Sequence, residues 1–186
     1  MSFSSQQRTF PGWRWIAVAA AFPVAGYIGG AISGPVDSVG AALIGGGLTG
    51  AGLGVVQWWS AKGALGRPAA WIAASAAGYA GGLAAGSAIV GYETNIGALA
   101  VMGLVGGAGL GGAQAMTLAQ HGDTRLAVAW GAATPLLFAL GWCATSAIGV
   151  SVEDQFTVFG AAGAVLVMAL SGLVLSRFAP ARSQVA

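Results

Sequence analysis

Charged residues divide the chain into six long stretches that carry no charge at all. These stretches cover residues 16–36, 38–61, 68–92, 94–120, 126–152 and 155–176. A helix of about 20 apolar residues crosses a hydrocarbon core of about 30 Å, and every stretch is that long. Transmembrane strands would need about 10 residues with polar–apolar alternation, which none of the stretches shows. The pattern predicts an all-α, polytopic membrane bundle of six transmembrane helices.

Composition supports a membrane protein, because 56% of the 186 residues are hydrophobic and only 6% are charged. A soluble domain carries about 25% charged residues, and a surface without them would not stay solvated. The length predicts a single membrane domain, 1–186, whose main partner is the lipid bilayer. Other membrane subunits, or a second copy, are further candidate partners, and no nucleic-acid partner is expected.

The charges in the short connections alternate in sign along the chain. All seven basic residues fall on one side of a six-span arrangement: Arg8, Arg14, Lys62, Arg67, Arg125, Arg177 and Arg182. On the other side lie Asp37, Glu93, Glu153 and Asp154, and only Asp123 breaks the separation. Cytoplasmic loops are enriched in Lys and Arg, so both termini are predicted to be cytoplasmic. The abundance of Ala and Gly favours a bacterial source and hence the inner membrane.

Six of the seven tryptophans lie near the predicted cytoplasmic ends of the spans: Trp13, Trp15, Trp58, Trp59, Trp71 and Trp130. At a membrane interface an indole keeps its ring in the apolar layer and its N–H near the headgroups. The pattern therefore predicts an aromatic belt, from which only Trp142 is missing.

Two stretches of the chain repeat each other at an offset of 57 residues. Gly46, Gly50, Gly54 and Gln57 align with Gly103, Gly107, Gly111 and Gln114. Trp15, Trp71 and Trp130 begin three units, at approximately 13–61, 68–118 and 126–178, and Leu175 replaces the glutamine in the third. Each unit is a helical hairpin that returns to its starting side. Three such tandem hairpins predict rough pseudo-threefold symmetry about the membrane normal.

The first unit ends in a Gly-x-x-Gln-Trp motif, Gly54-Val55-Val56-Gln57-Trp58, whereas the second has Ala115 in place of the tryptophan. With its Trp-led Ala/Gly helices, the chain resembles a group of uncharacterised bacterial multi-pass membrane proteins over nearly its whole length. The resemblance implies the same repeated Gly-rich hairpins, and it brings no known activity.

Glycines at a spacing of four lie on one face of each returning helix. The six that define these stripes are Gly46, Gly50, Gly54, Gly103, Gly107 and Gly111. Small residues allow helix backbones to approach closely, so the stripes predict helix packing rather than chemistry.

Candidate chemical sites are few, because no charged residue lies inside any span. His121 and Cys143 are the only histidine and cysteine, so no catalytic, cofactor or metal site is predicted. Gln57 and Gln114 are the best polar candidates, either bonding across helices or holding a substrate or headgroup as a pair of amides. Tyr79 lies in mid-span, where its hydroxyl needs a partner, and is more often a core residue than a ligand.

Two kinds of function fit these observations, and neither is enzymatic. The first is a structural or accessory membrane protein, or a subunit of a larger complex, held together by Gly-mediated helix packing. The alternative is a small permease, channel or substrate-binding membrane subunit for an uncharged solute. A polar cavity reaching the midplane would favour transport, whereas a solid centre would favour the scaffold. An enzyme acting on lipid is least favoured, because no catalytic set is visible.

The third stretch, 68–92, has only four strongly apolar aliphatic residues. Each contributes only about −0.3 to −0.6 kcal/mol to insertion, so this helix should insert poorly alone. We expect it to sit towards the bundle interior, with the sixth span more exposed to lipid.

Overall fold

The computed structural model describes residues 12–61, 64–150 and 155–178, and within these ranges its regular structure is entirely helical. The helices are α1 (Gly12–Ala17), α2 (Ala21–Ser33), α3 (Val39–Ser60), α4 (Pro68–Ile89), α5 (Ile96–Gln120), α6 (Thr124–Ala147) and α7 (Ala161–Phe178). A short 3₁₀ segment, Val18–Ala20, joins α1 to α2, so that these three pieces form one span. The charged residues Arg8, Lys62, Glu153, Asp154 and Arg182 lie outside the described residues.

Within the described ranges, six helical segments are long and apolar enough to cross a membrane, which agrees with the predicted number. Local sequence explains several of their ends. The Ser38 side chain accepts from Ala41 N at 3.3 Å and the Asn95 side chain accepts from Ala98 N at 3.0 Å, so each caps a helix start. Pro68 begins α4, where its missing N–H costs nothing.

Consecutive helices pack against each other, and α7 returns to contact α1 and the 3₁₀ segment, which closes a ring. Because the direction alternates, Arg14, Arg67, Arg125 and Arg177 mark one end of the ring, called here the basic end. Asp37 and Glu93 mark the opposite, acidic end.

The six stripe glycines are all buried, and they lie against the next helix of the ring. A Cβ atom built on Gly46 would lie 3.1 Å from Ala80 Cα, and one on Gly50 would collide with the Ser75 carbonyl. On α5, a Cβ on Gly107 would lie 2.7 Å from the Thr134 carbonyl oxygen. Any side chain at these positions would push α3 from α4, or α5 from α6.

The centre of the ring is filled by aromatic side chains rather than by glycine. The Phe159 ring centroid lies 5.1 Å from those of both Phe22 and Phe138, and Tyr79 lies 5.6 Å from Phe138. Trp142 meets Phe159 edge to face at 6.0 Å. All five are at most 2% exposed. Their quadrupoles favour such tilted and offset contacts, which add to the burial of apolar area.

The sixth predicted span, 155–176, differs from the structure in its first six residues. Residues 155–160 are not helical, and α7 begins only at Ala161. Thr157, Val158 and Phe159 are nevertheless buried, so this segment re-enters the bundle as irregular backbone. Such backbone is tolerated at membrane depth only where protein surrounds it. Apolar composition without charge could not distinguish this buried segment, called here the re-entrant segment, from a helical turn.

The third span is not an interior helix, because a closed ring gives every helix an outward face. In α4, 39% of the membrane-length window is buried, against 33% in α7 and 44% in both α5 and α6. The sixth span is the less buried of the two, as expected, but the third span is buried no more than α3 and less than α5 and α6, so it does not occupy an interior position.

Candidate functional site

Gln57 and Gln114, predicted as a pair of polar candidates, are hydrogen-bonded to each other inside the ring. Gln114 Nε2 donates to Gln57 Oε1 at 3.0 Å, which connects α5 to α3 across α4. Gln57 is 3% exposed and Gln114 is fully buried, so neither amide faces a headgroup layer. Of the two sequence interpretations, the cross-helix bond is the one that the geometry shows.

The amide of Gln114 is the centre of a larger network. Its Nε2 also donates to Ser75 Oγ at 2.8 Å, and its Oε1 accepts from Trp130 Nε1 at 2.8 Å. Ser75 Oγ in turn donates to the Trp71 carbonyl at 2.8 Å. The orientation of the amide is fixed, because an indole N–H can only donate and therefore requires the oxygen of Gln114. We call these residues of α3, α4, α5 and α6 the amide–indole cluster.

Trp71 and Trp130 of this cluster, together with Trp15, lie inside the ring instead of forming an interfacial belt. The ring centroid of Trp130 lies 6.0 Å from that of Trp15 and 6.1 Å from that of Trp71, and all three side chains are buried. The belt prediction was therefore wrong for these three, because helix phase turns them inward. Trp13 and Trp59 do face outward.

The indoles of the three buried tryptophans differ in their partners. Trp130 bonds Gln114, and Trp15 Nε1 donates to Ser171 Oγ at 2.9 Å. Trp71 Nε1 is buried and has no hydrogen-bond partner among the described residues. The Ser171 contact was not predicted, since the repeat alignment placed Leu175 opposite the glutamines. Ser171 follows Gln114 by 57 residues, the same spacing that separates Gln57 from Gln114. A serine in an Ala/Gly-rich helix is too common, however, to be recognised as the counterpart of the two glutamines.

A second polar group surrounds the re-entrant segment and is called here the hydroxyl cluster. Tyr79 Oη donates to the Thr157 carbonyl at 2.7 Å, which provides the partner that its mid-span position requires. Thr157 Oγ1 donates to the Gly26 carbonyl at 3.2 Å and lies 3.0 Å from Thr49 Oγ1. Thr49 and Thr157 had not been predicted as site residues, because isolated threonines in apolar stretches carry no recognisable pattern.

A small cleft opens at the acidic end, next to the start of the re-entrant segment. Its walls include the polar and aromatic residues Tyr92, Glu93, Thr94, Trp142, Gln155 and Phe156. Its volume is about 10 Å³, which is room for about one water-sized group. Glu93 Oε2 accepts from Asn95 Nδ2 at 2.6 Å, and Gln155 Nε2 donates to the Tyr92 carbonyl at 2.9 Å.

These groups can form hydrogen bonds, but they do not form a recognisable reaction centre. Within the described ranges no three His, Cys, Asp or Glu residues lie close enough to hold a metal ion. Cys143 is half-buried and is not in a disulfide. Comparison of the chain with protein-family models, with curated proteins and with solved structures gave no match.

Proposed function

We propose that this chain is a non-enzymatic integral membrane protein with a structural or accessory role, as a subunit of a membrane complex. The observation that carries the proposal is the filled centre of the ring. Aromatic rings occupy the middle, and the amides nearest to them bond other side chains of the same chain. Polar groups used in this way stabilise the bundle and leave little to recognise a solute.

Hydrogen bonds at matching positions support three tandem hairpins with pseudo-threefold symmetry. Ser60 Oγ donates to the Gln57 carbonyl, and Thr117 Oγ1 donates to the Gln114 carbonyl, 57 residues later. Thr134 Oγ1 donates to the Trp130 carbonyl as Ser75 Oγ does to that of Trp71. With both termini in the cytoplasm of a bacterial cell, as the basic end suggests, all three hairpins would share one orientation. These features also fit the resemblance to bacterial multi-pass proteins with Gly-rich hairpins.

The outward face of α4 is consistent with a place inside a larger assembly. Its exposed residues in mid-span are small, namely Ala73, Ala77, Gly81 and Ala85, whereas Ile89 near its end is its only large exposed hydrophobic residue. The other spans expose several bulky aliphatic side chains to the lipid region. Its mean hydropathy of 1.3 is also the lowest of the six, the others lying between 1.6 and 1.8. A neighbouring membrane helix would fit this smooth face better than lipid chains would.

Blue native electrophoresis of gently solubilised native membranes tests this proposal. We expect wild-type protein in a species larger than the monomer, and we expect Ala77→Leu to release the monomer because the leucine blocks close approach. Ala108→Leu is the matched control, since Ala108 is an exposed alanine on α5. A wild-type protein that is monomeric in several mild detergents would contradict the subunit role.

The alternative, a small permease or channel for an uncharged solute, is favoured by one observation. The sixth span is a single short helix, Ala161–Phe178, preceded by buried irregular backbone, and transporters place substrate sites where non-helical backbone lies at membrane depth. Light scattering from proteoliposomes during osmotic shock with urea or glycerol distinguishes the two functions. A structural subunit leaves the shrinkage and swelling rates at those of protein-free vesicles, whereas a permease raises them.

A further inference from the structure

Two outward-facing tryptophans and an arginine meet on neighbouring helices at the basic end. Arg14 Cζ lies over the ring of Trp59, 4.9 Å from its centroid, and 6.0 Å from the ring centroid of Trp13. Trp13 and Arg14 belong to α1, whereas Trp59 lies in the last turn of α3. We propose that these three residues, called here the Arg–Trp patch, bind the phosphate of an anionic phospholipid.

The guanidinium of Arg14 has aromatic neighbours but lacks an oxygen acceptor. It carries five N–H donors and a permanent charge, yet within the described ranges no hydrogen bond or ion pair engages it. Arg14 is also half-buried, so protein has already displaced part of its hydration shell. The cation–π contacts hold the group in place without satisfying its donors. A phosphate can accept two parallel N–H bonds from one guanidinium, and it would provide the missing acceptors.

The two tryptophans favour a lipid over a soluble anion. Trp13 is 74% exposed and Trp59 is 63% exposed, so both rings project from the helices instead of packing among them. Neither indole N–H donates to any described group, and an indole N–H can only donate. At a membrane interface such a ring rests on the apolar part of a lipid while its N–H reaches the headgroup oxygens. A free phosphate ion would leave both rings uncovered.

The charge of the basic end selects for lipids with a net negative charge. Arg14, Arg67, Arg125 and Arg177 lie there, and Asp123 is the one acid at that end in the described ranges. Each basic residue near a membrane surface favours anionic lipids over zwitterionic ones. Only Arg14 among these four arginines has a described cation–π contact. The Arg–Trp patch therefore positions the phosphate, and the surrounding charge determines which lipid supplies it.

Thermal unfolding of the full chain in a nonionic detergent tests the proposal. The probes are dioctanoyl phosphatidylglycerol, dioctanoyl phosphatidylcholine and inorganic phosphate, at an ionic strength that screens distant charges. We expect phosphatidylglycerol to raise the unfolding midpoint most, phosphatidylcholine to raise it less and inorganic phosphate to leave it unchanged. Arg14→Gln should weaken the apparent affinity for phosphatidylglycerol about fivefold. Trp59→Leu should weaken it about threefold.

Arg125→Gln is the matched control, because it removes the same charge from the same end at an exposed position without a described aromatic neighbour. It should weaken the affinity by less than about twofold, since screening limits the reach of an exposed charge. Arg14→Lys keeps the charge but loses the planar guanidinium, so its affinity should lie between those of the wild type and Arg14→Gln.

Equal losses of affinity in Arg14→Gln and Arg125→Gln would overturn the proposal, because overall charge alone would then explain the binding. An unchanged midpoint with phosphatidylglycerol would also overturn it. Inorganic phosphate as effective as the lipid would contradict a lipid ligand, and equal responses to the two lipids would contradict anionic selectivity. Trp59 is exposed, so Trp59→Leu should fold and provides a second test. The measurement needs no vesicles or partner protein, so its outcome is separate from those of the assembly and flux experiments.

Discussion

The amide–indole cluster and the hydroxyl cluster lie in the same bundle but are built in different ways. In the first, side chains on four regular helices bond one another, with Gln114 making three of the contacts. In the second, Tyr79, Thr49 and Thr157 bond carbonyl groups, and Thr157 belongs to irregular backbone. The first cluster therefore joins helices to one another. The second ties irregular backbone to helices, because the Tyr79 hydroxyl provides a partner for the Thr157 carbonyl and the Thr157 hydroxyl bonds a carbonyl of α2.

Because the amide–indole cluster joins regular helices, we expect the largest loss of stability from a substitution that moves two of those helices apart. Gly50→Leu places a large side chain against the Ser75 carbonyl and would force α4, with Ser75, away from α3. We expect a loss of about 3 kcal/mol or more, at the upper end of overpacking costs. Gly30→Leu is the control, because a Cβ at Gly30 meets nothing within 4 Å. Unfolding in mixed micelles gives both values, and similar stabilities for the two variants would contradict the close approach.

Removal of the central amide should have the next largest effect. Gln114→Leu leaves Trp130 Nε1 without its acceptor and Gln57 Oε1 without a donor, both in a buried region. The expected loss is about 2 kcal/mol, since buried groups that lose their partners cost more than the bonds contribute. Gln120→Leu, at an exposed position on the same helix, should change the stability little. If the Gln114→Leu protein were as stable as this control, the amide–indole cluster would not contribute to the stability of the fold.

The hydroxyl cluster should respond less to a single deletion. Tyr79→Phe removes the donor to the Thr157 carbonyl but keeps the ring against Phe138. We expect a loss of about 1 kcal/mol, and Tyr27→Phe on the outer surface should show none. A larger loss of stability for Tyr79→Phe than for Gln114→Leu would contradict the expectation that the amide–indole cluster contributes more to stability than the hydroxyl cluster.

The smallest effect concerns the tryptophan without a partner. Trp71→Phe and Trp130→Phe remove the same volume, but only Trp130 loses a hydrogen bond, the one to Gln114. Trp130→Phe should therefore cost about 1 kcal/mol more than Trp71→Phe. Equal losses in chemical denaturation would mean that Trp71 Nε1 also has a partner, such as a buried water.

The sequence predicted the parts of this structure that depend on spacing along one helix. Uncharged runs defined the six spans, and the 57-residue offset singled out Gln57 and Gln114, which proved to be bonded to each other. The inward direction of Trp71 and Trp130 could not be predicted, because an amphipathic indole suits an interface and a core equally well.

The re-entrant segment and the cleft were beyond prediction for a different reason. Thr157, Val158 and Phe159 carry no charge, as a helical turn in this chain would not, and only contacts from three helices, α2, α4 and α6, show what holds them outside a helix. The cleft combines residues of several connections, with Glu93 and Gln155 separated by 62 positions. Such sites depend on how the loops meet, which no local pattern encodes.

The bond that closes the ring has a consequence for biosynthesis. Trp15 and Ser171 are separated by 156 residues, so the first helix acquires this neighbour only after the sixth span has been made. At about 5–20 residues per second, the nascent first helix waits roughly 10–30 s with one flank unoccupied. During that interval a chaperone, an insertase or lipid must cover the Trp15 side of the helix. Ribosomal pausing or premature termination late in the message would therefore expose the amino-terminal end of the protein as well as the carboxyl-terminal end.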